Sequence, residues 1–173
     1  MPKNLEVKIP VETIDGLNDR LRLLGAEYVG EIQQKDTYFT VGHGRLKLRE
    51  MNDSKSELIY YDRDETLGAR WSEYQVFPVD DVRGLKTVLS KAMKIKVVVE
   101  KRRQVFLYKT ARIHLDHVIG LGHFLELEVM ERDRSQEAHE LLDFLLEKLS
   151  LKNVEKIRPS YSDLLLRSGT HKK

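Results

Sequence analysis

Apolar and polar residues alternate at a period of two along much of this chain, the pattern of strands with one face turned to a core. The first such run sets Leu5, Val7 and Ile9 against Asn4, Glu6 and Lys8. Pro10 then opens a stretch with helical spacing, through Val11, Ile14, Leu17, Leu21 and Leu24, which Gly25 stops. Strands are predicted over 27–41, 45–51 and 57–63, with Gly42-His43-Gly44 and Asn52-Asp53-Ser54 as the turns between them. Another runs over 70–77 and is closed by Pro78. Helical periodicity returns over 80–93, through Val82, Leu85, Val88, Leu89 and Met93. Three more strands follow over 95–108, 111–118 and 123–131, the last two joined by Gly120-Leu121-Gly122. A third helix over 135–149 carries Ala138, Leu141, Leu142, Leu145 and Leu149 as core positions. A short strand over 154–158 and a short helix over 161–167 complete the pattern. The expected class is α+β: one domain over residues 1–168 on a large antiparallel sheet, with 169–173 a flexible tail.

The order helix, long strand, hairpin, strand occurs over 11–63 and again over 80–131. Aligned, Arg45-Leu46-Lys47-Leu48-Arg49 meets Arg112-Ile113-His114-Leu115-Asp116, and Leu58-Ile59-Tyr60-Tyr61 meets Leu125-Glu126-Leu127-Glu128. The apolar positions persist while the polar face changes from basic to acidic.

Residues two apart on a strand share a face. That rule groups Glu6 with Lys8, Lys47 with Arg45 and Arg49, Lys101 with Arg103, Glu126 with Glu128, and Lys156 with Arg158. Two arrangements account for so many charges in strands. One is a sheet with helices on one side and water on the other, its wet face crossed by ion pairs. The other is a closed sheet with the charges inside, basic strands facing acidic ones across a cavity suited to a polyphosphate and its metal ions. Periodicity does not choose between them.

Composition narrows the function. The chain has 173 residues, 30 Lys+Arg against 28 Asp+Glu, and no cysteine. Disulfides, thiolate metal sites and a cysteine nucleophile are excluded. No apolar run approaches the roughly 18 residues of a membrane span, so no membrane association and a cytoplasmic location are expected. A net charge of +2, with acidic residues interleaved among the basic ones, counts against nucleic acid. His114, His117 and His123 cluster in sequence, but strand residues three apart point to opposite faces, which argues against a zinc site. The glycine pairs of the two hairpin turns do not lead from a strand into a helix with a following Lys-Ser/Thr, so neither is a phosphate loop.

Asn4-Leu5-Glu6-Val7-Lys8 resembles the E-x-E-x-K signature of the CYTH superfamily, the triphosphate tunnel metalloenzymes. The resemblance extends through Asp36-Thr37-Tyr38-Phe39, the G-R-L-K-L-R-E run from Gly44 to Glu50, and the pair Lys101 and Arg103. It continues through the H-L-D-x-V-x-G-L-G-x-F-L-E-x-E segment from His114 to Glu128 and the S-Y-x-D-L-L run from Ser160 to Leu165. The set looks most like the class IV adenylyl cyclase branch, whose members are not all cyclases. It implies a closed eight-stranded antiparallel β-tunnel with helices packed outside. It also implies a triphosphate-containing small molecule as substrate and Mg²⁺ or Mn²⁺ as cofactor.

Carried over to this chain, the resemblance makes Glu6, Glu126 and Glu128 metal ligands, and gives Glu6, Lys8 and Asp116 catalytic roles. Asp116 either orients a basic residue or assists the metal. Lys47, Arg49, Lys101 and Arg103 would bind phosphate oxygens, with Lys156 and Arg158 closing the site from the C-terminal strand. Two departures stand out: Asn4 occupies the place of the first glutamate, and a mid-chain basic residue is replaced by Tyr60 or Tyr61, with Arg63 a substitute nearby. The implied activities are hydrolysis of inorganic or nucleoside triphosphates, or cyclisation of ATP to cyclic AMP and pyrophosphate. A phosphate-ligand binder without turnover is the non-enzymatic alternative. A homodimer is left open.

Overall fold

A computed structural model of the chain describes residues 3–52, 55–63, 70–131 and 135–169, with backbone only at 63, 70 and 71. The element order is β1 (Lys3–Val11), α1 (Asp15–Leu24), β2 (Glu27–Phe39), β3 (Arg45–Met51), β4 (Ser56–Arg63), β5 (Arg70–Pro78), α2 (Val82–Ala92), β6 (Ile95–Tyr108), β7 (Ala111–Val118), β8 (Gly122–Met130), α3 (Ser135–Lys148) and α4 (Tyr161–Ser168). The strands close into an antiparallel barrel in the order β1-β5-β4-β3-β2-β6-β7-β8, with β8 returning to β1. No helix among the described residues is long and apolar enough to cross a membrane.

Closure decides where each strand face goes. Leu5, Val7 and Ile9 of β1, Phe106 of β6, Ile113 and Leu115 of β7, and Leu125, Leu127 and Val129 of β8 form one buried cluster with Leu17 and Leu21 of α1 and with Leu142, Leu145 and Leu146 of α3. The apolar faces thus meet helices on the outside, and the opposite faces line the lumen. A second cluster joins Val97, Val99, Val118 and Phe124 to Tyr161 and Leu165 of α4. These strand residues share a face with Arg103, Asp116 and Glu126, so α4 packs against the inward side of the barrel.

The sequence echo is a real repeat. Exchanging β1 with β5, β2 with β6, β3 with β7 and β4 with β8 reproduces the same ring of neighbours. In α1 Leu17 and Leu21 are buried in the first cluster, whereas α2 has no fully buried residue.

Local chemistry explains where the elements end. β1 runs on through Pro10, which pairs with Phe124, and α1 begins only at Asp15, later than the apolar spacing suggests. Pro10 stands next to last in β1, where its missing N–H costs the ladder least. Gly44 has φ +62, and a Cβ there would collide with the Tyr60 ring, so the β2–β3 turn requires glycine twice over. Residues 154–158 do not form the expected strand: they lie in irregular backbone, and Ile157 N–H donates to Lys8 O at 2.9 Å. A barrel already closed offers no edge for a ninth strand. The turn at Asp53-Ser54 and the tail at 170–173 lie outside the described residues.

Opposite faces of one strand should respond differently to truncation. Leu127 is fully buried under the helices, so Leu127→Ala should cost about 2–5 kcal/mol in denaturant unfolding.

Candidate active site

The lumen holds a cavity of about 330 Å³. β1 contributes Asn4, Glu6 and Lys8; β3 contributes Lys47 and Arg49; β6 contributes Lys101 and Arg103; β8 contributes Glu126 and Glu128. On the ladders Lys8 stands opposite Glu126 and Glu6 opposite Glu128. The charged faces therefore turn inward, and eight residues picked out by the resemblance, Glu6, Lys8, Lys47, Arg49, Lys101, Arg103, Glu126 and Glu128, converge there.

Two aspartates hold the arginines in place. Asp36, paired in register with Arg49, accepts from Arg49 Nε and Nη2 at 2.8 Å each, and from Lys47 Nζ at 3.2 Å. Asp116, paired in register with Arg103, accepts from Arg103 Nε and Nη2 at 2.7 Å each. Burial pushes the Asp36 carboxyl up, but Arg49, Lys47 and Lys101 outweigh it and hold Asp36 well below the usual carboxylate range. Arg103 is likewise opposed by burial and raised by Asp116. Asp116 also accepts from the Tyr161 hydroxyl at 2.7 Å and is fully buried. Both of its oxygens are engaged, and it does not line the cavity.

Lys101 has the opposite balance. Burial and the neighbouring Arg103 push its ammonium well below the ordinary lysine value, against the weaker pull of Asp36 at 4.0 Å. An anion in the lumen would restore its charge. Lys8 Nζ lies 4.0 Å from the centre of the Tyr161 ring and donates to Pro159 O at 3.4 Å. Tyr161 is itself held by its helix start: Ser160 caps α4 in a capping box with Asp163, and Arg45 bonds to both Ser160 Oγ and Asp163 at 2.5 and 2.9 Å.

The acidic side is a cluster. Ligand-capable atoms of His114, Glu126 and Glu128 all lie within 4.8 Å of one another. His114 Nδ1 is 3.7 Å from Glu126 and 3.8 Å from Glu128, and it is buried without a hydrogen-bond partner. The nearby Asn4 Oδ1 is also buried and unpartnered. Burial, Glu126 and Glu6 push the Glu128 carboxyl up to about 7 against the pull of His114. Glu126 is driven up by burial, but Arg103, His114 and Lys8 hold it well below its ordinary value. Two carboxylates and an imidazole with an open acceptor suit a divalent cation, which would relieve the repulsion that Glu128 feels.

Two expected positions fall elsewhere, and a third cannot be placed. Lys156 Nζ turns back on its own loop, to Lys152 O at 3.2 Å and Val154 O at 3.5 Å, and does not line the cavity. Arg158, in the same irregular segment, is half-buried beside β1 and is also absent from the lining. The strand that was to aim both inward does not form. Arg63 lies at the end of β4, and its side chain is outside the described residues. The histidines separate as face parity requires: His114 points inward, while His117 and His123 pair with each other, their tilted rings 4.8 Å apart.

Asp36, His114 and Tyr161 were missed as site residues although each lies in a quoted motif. For Asp36 and His114 the signal was parity: Asp36 shares a face with Tyr38, and His114 with Asp116. Tyr161 left no comparable signal, because its place depends on how α4 docks.

A family model described as CYTH domain matches residues 2–161. A Methanocaldococcus jannaschii protein provisionally named an adenylate cyclase is 24% identical over 172 residues, covering 92% of this chain and 97% of its own. The solved PH1012 protein from Pyrococcus horikoshii is similar at TM-score 0.85 and 25% identity, over 93% of this chain and 98% of its own. A Hippeastrum protein, provisionally named an adenylyl cyclase and described as having dominant triphosphatase activity, is similar at TM-score 0.66 and 15% identity, over 98% of this chain and 96% of its own.

The raised Glu128 sets a pH signature for the metal-free protein. Its carboxyl titrates near 4.5 when unfolded and near 7 when folded. Below about pH 4.5 it is protonated in both states and contributes nothing. As pH rises through this window the unfolded state loses the proton first, so stability falls, and the loss is complete above about pH 7. Glu128→Gln should therefore match the parent near pH 4 and exceed it at pH 8 by on the order of 3 kcal/mol at most, in melts with chelator present. A variant less stable than the parent at pH 8 would mean that Glu128 is a structural partner instead.

Proposed function

The chain belongs to the CYTH domain family, and on that premise we propose that it is a metal-dependent phosphohydrolase acting on triphosphates inside the barrel. The observation that carries this reading is the enclosed lumen in which Lys8, Lys47, Arg49, Lys101 and Arg103 face Glu6, Glu126 and Glu128. Such a wall spreads the charge of a triphosphate over several fixed donors, which stabilises charge developing at phosphorus without reorganisation. Arg49 and Arg103 present guanidinium groups already oriented by Asp36 and Asp116. Lys101, pushed towards neutrality by burial and Arg103, gains its proton as phosphate oxygens approach.

Glu126, Glu128 and His114, with Glu6 on the neighbouring rung, would hold the cation. Bound there, Mg²⁺ or Mn²⁺ would neutralise phosphate oxygens and lower the pKa of a coordinated water. The imidazole in the set favours Mn²⁺ over Mg²⁺. Glu128, raised to about 7, must release its proton to serve as a ligand, so metal affinity should climb between about pH 6 and 8.

Incubating the purified protein with ATP or inorganic triphosphate and Mn²⁺, with products followed by phosphorus NMR, tests the reading. Orthophosphate with ADP or pyrophosphate supports hydrolysis. Cyclic AMP with pyrophosphate would make the chain a cyclase, as the name of the M. jannaschii relative suggests for that protein. Tight binding without product would make it a binder that has lost turnover.

Lys47→Ala should weaken triphosphate binding about tenfold or more by calorimetry while orthophosphate changes little. Arg49→Ala is the poorer choice, because it leaves buried Asp36 without its main partner and costs stability as well.

Asn4 supplies a buried amide oxygen beside Glu6 where a carboxylate would add charge. Asn4→Glu should lower the Mn²⁺ concentration for half-maximal activity and raise turnover, at some loss of metal-free stability. Superimposable metal titrations for parent and variant would show that position 4 does not face the cation.

A further inference from the structure

Among the described residues six lysines and arginines line the lumen, and the fold holds five of them. Lys47 and Arg49 bond to Asp36, Arg103 bonds to Asp116, and Lys8 donates to Pro159 O. Lys101 lies 4.0 Å from Asp36 and 5.1 Å from the centre of the Tyr161 ring. Arg112 of β7 is the sixth. It is exposed, and no hydrogen bond, ion pair or ring contact engages it among the described residues.

Its placement sets it apart from a surface arginine. Arg112, His114 and Asp116 share the inward face of β7, and Arg112 stands opposite Glu128 on the β8 ladder. It is therefore the next inward residue to His114, whose ring lies within 4.8 Å of the Glu126 and Glu128 oxygens. The repeat sharpens the contrast. Arg45 occupies the matching place on β3, where Ser160 and Asp163 tie it to the start of α4. One position is thus fixed in the first half of the barrel and left free in the second.

The donors are also unevenly divided. β3 and β6 supply Lys47, Arg49, Lys101 and Arg103, whereas β7 and β8, which carry the carboxylate and imidazole cluster, supply Arg112 alone among the described residues. An arginine held by two bonds to an aspartate cannot follow a phosphate oxygen as the phosphorus changes geometry; an unheld one can. Fixing a free arginine side chain costs up to about 2 kcal/mol of rotamer entropy, so it adds little to the affinity for a resting ligand. Its contact becomes most favourable when negative charge builds up on the oxygens it reaches.

We propose that Arg112 is a catalytic residue of the lumen, whose guanidinium closes on the terminal phosphoryl group beside Glu128 and donates to its oxygens in the transition state. Water forms the new bond to the terminal phosphorus, the bridging P–O bond breaks, and its electron pair leaves on the oxygen of the remaining diphosphate. One proton of the water stays on the orthophosphate and the other passes to solvent; Arg112 keeps its own throughout. This assignment rests on the triphosphate reading of the lumen, and its test separates the two.

Arg112→Ala and Arg112→Gln remove an exposed side chain with no partner, so both should melt with the parent. In Mn²⁺ and inorganic triphosphate, Arg112→Ala should lower kcat on the order of 10²-fold and leave KM within about threefold. Free guanidinium at a non-denaturing concentration should restore part of that rate and leave the parent's unchanged. A second measurement needs no turnover: in calorimetry with Mn²⁺ alone, Arg112→Gln should bind the ion about two- to threefold more tightly, because a positive charge beside Glu128 is gone. If the parent neither binds nor cleaves triphosphate, the triphosphate reading fails and takes the catalytic role with it. If the parent binds triphosphate without cleaving it, the catalytic role falls alone. It falls alone too if Arg112→Ala keeps the parent's kcat, if its loss lies wholly in KM, or if guanidinium rescues nothing. Equal Mn²⁺ affinities would show that Arg112 faces away from the cluster, and would overturn the assignment as well.

Discussion

Everything in the lumen depends on two buried Asp–Arg pairs. Asp36 with Arg49 and Asp116 with Arg103 each form two hydrogen bonds of 2.7–2.8 Å with almost no exposure of the aspartate. An arginine cannot discard its proton on burial, so it must be paired or lost. The aspartates neutralise it, leave part of each guanidinium facing the cavity, and fix its orientation before any ligand arrives. Such pairs are poor sources of stability, since apolar replacements of similar volume often fold as well or better. Their position at the heart of a cavity fits a role in recognition.

The repeat shows how one arrangement carries two chemistries. Asp36 on β2 corresponds to Arg103 on β6, and Arg49 on β3 corresponds to Asp116 on β7. The same rung therefore carries the same clamp with its signs exchanged. That exchange puts both arginines in the lumen while alternating which strand carries the acid. Beyond the clamps the halves diverge, into carboxylates and Lys8 on β8 and β1 and into tyrosines and aliphatics on β4 and β5.

Alternation at period two was enough to find the eight strands and to sort each into an apolar and a charged face. It could not say which face was inside, because a flat sheet with a wet side gives the same string of residues. The motif resemblance supplied closure, and closure in turn directs Glu126 and Glu128 inward while Leu125 and Leu127 go out. The failures share one cause. Lys156 and Arg158 look like a strand pair by alternation, yet a strand needs a free edge and the closed barrel has none. Pro10 looked like a helix start, yet its pairing with Phe124 of β8 keeps it in the sheet. In each case the deciding fact was which hydrogen-bonding edges were already occupied, a property of the whole ring.

Tyr161 belongs to a different class of omission. Its role arises from a chain of contacts between parts distant in sequence: Arg45 on β3 holds Ser160 and Asp163, the capped helix sets Tyr161, and Tyr161 donates to Asp116, which orients Arg103. The arginine on β3 that shares a face with Lys47 and Arg49 thus acts at the lumen without entering it. Its guanidinium is bound to the C-terminal helix, so the same basic strand both lines the cavity and anchors the helix packed against the barrel's inward face. A run of alternating arginine and lysine is read correctly as one charged face, but the partners of its members are set by position along the barrel axis. Lys47 and Arg49 meet Asp36 inside the barrel, and Arg45 meets the helix that carries Tyr161.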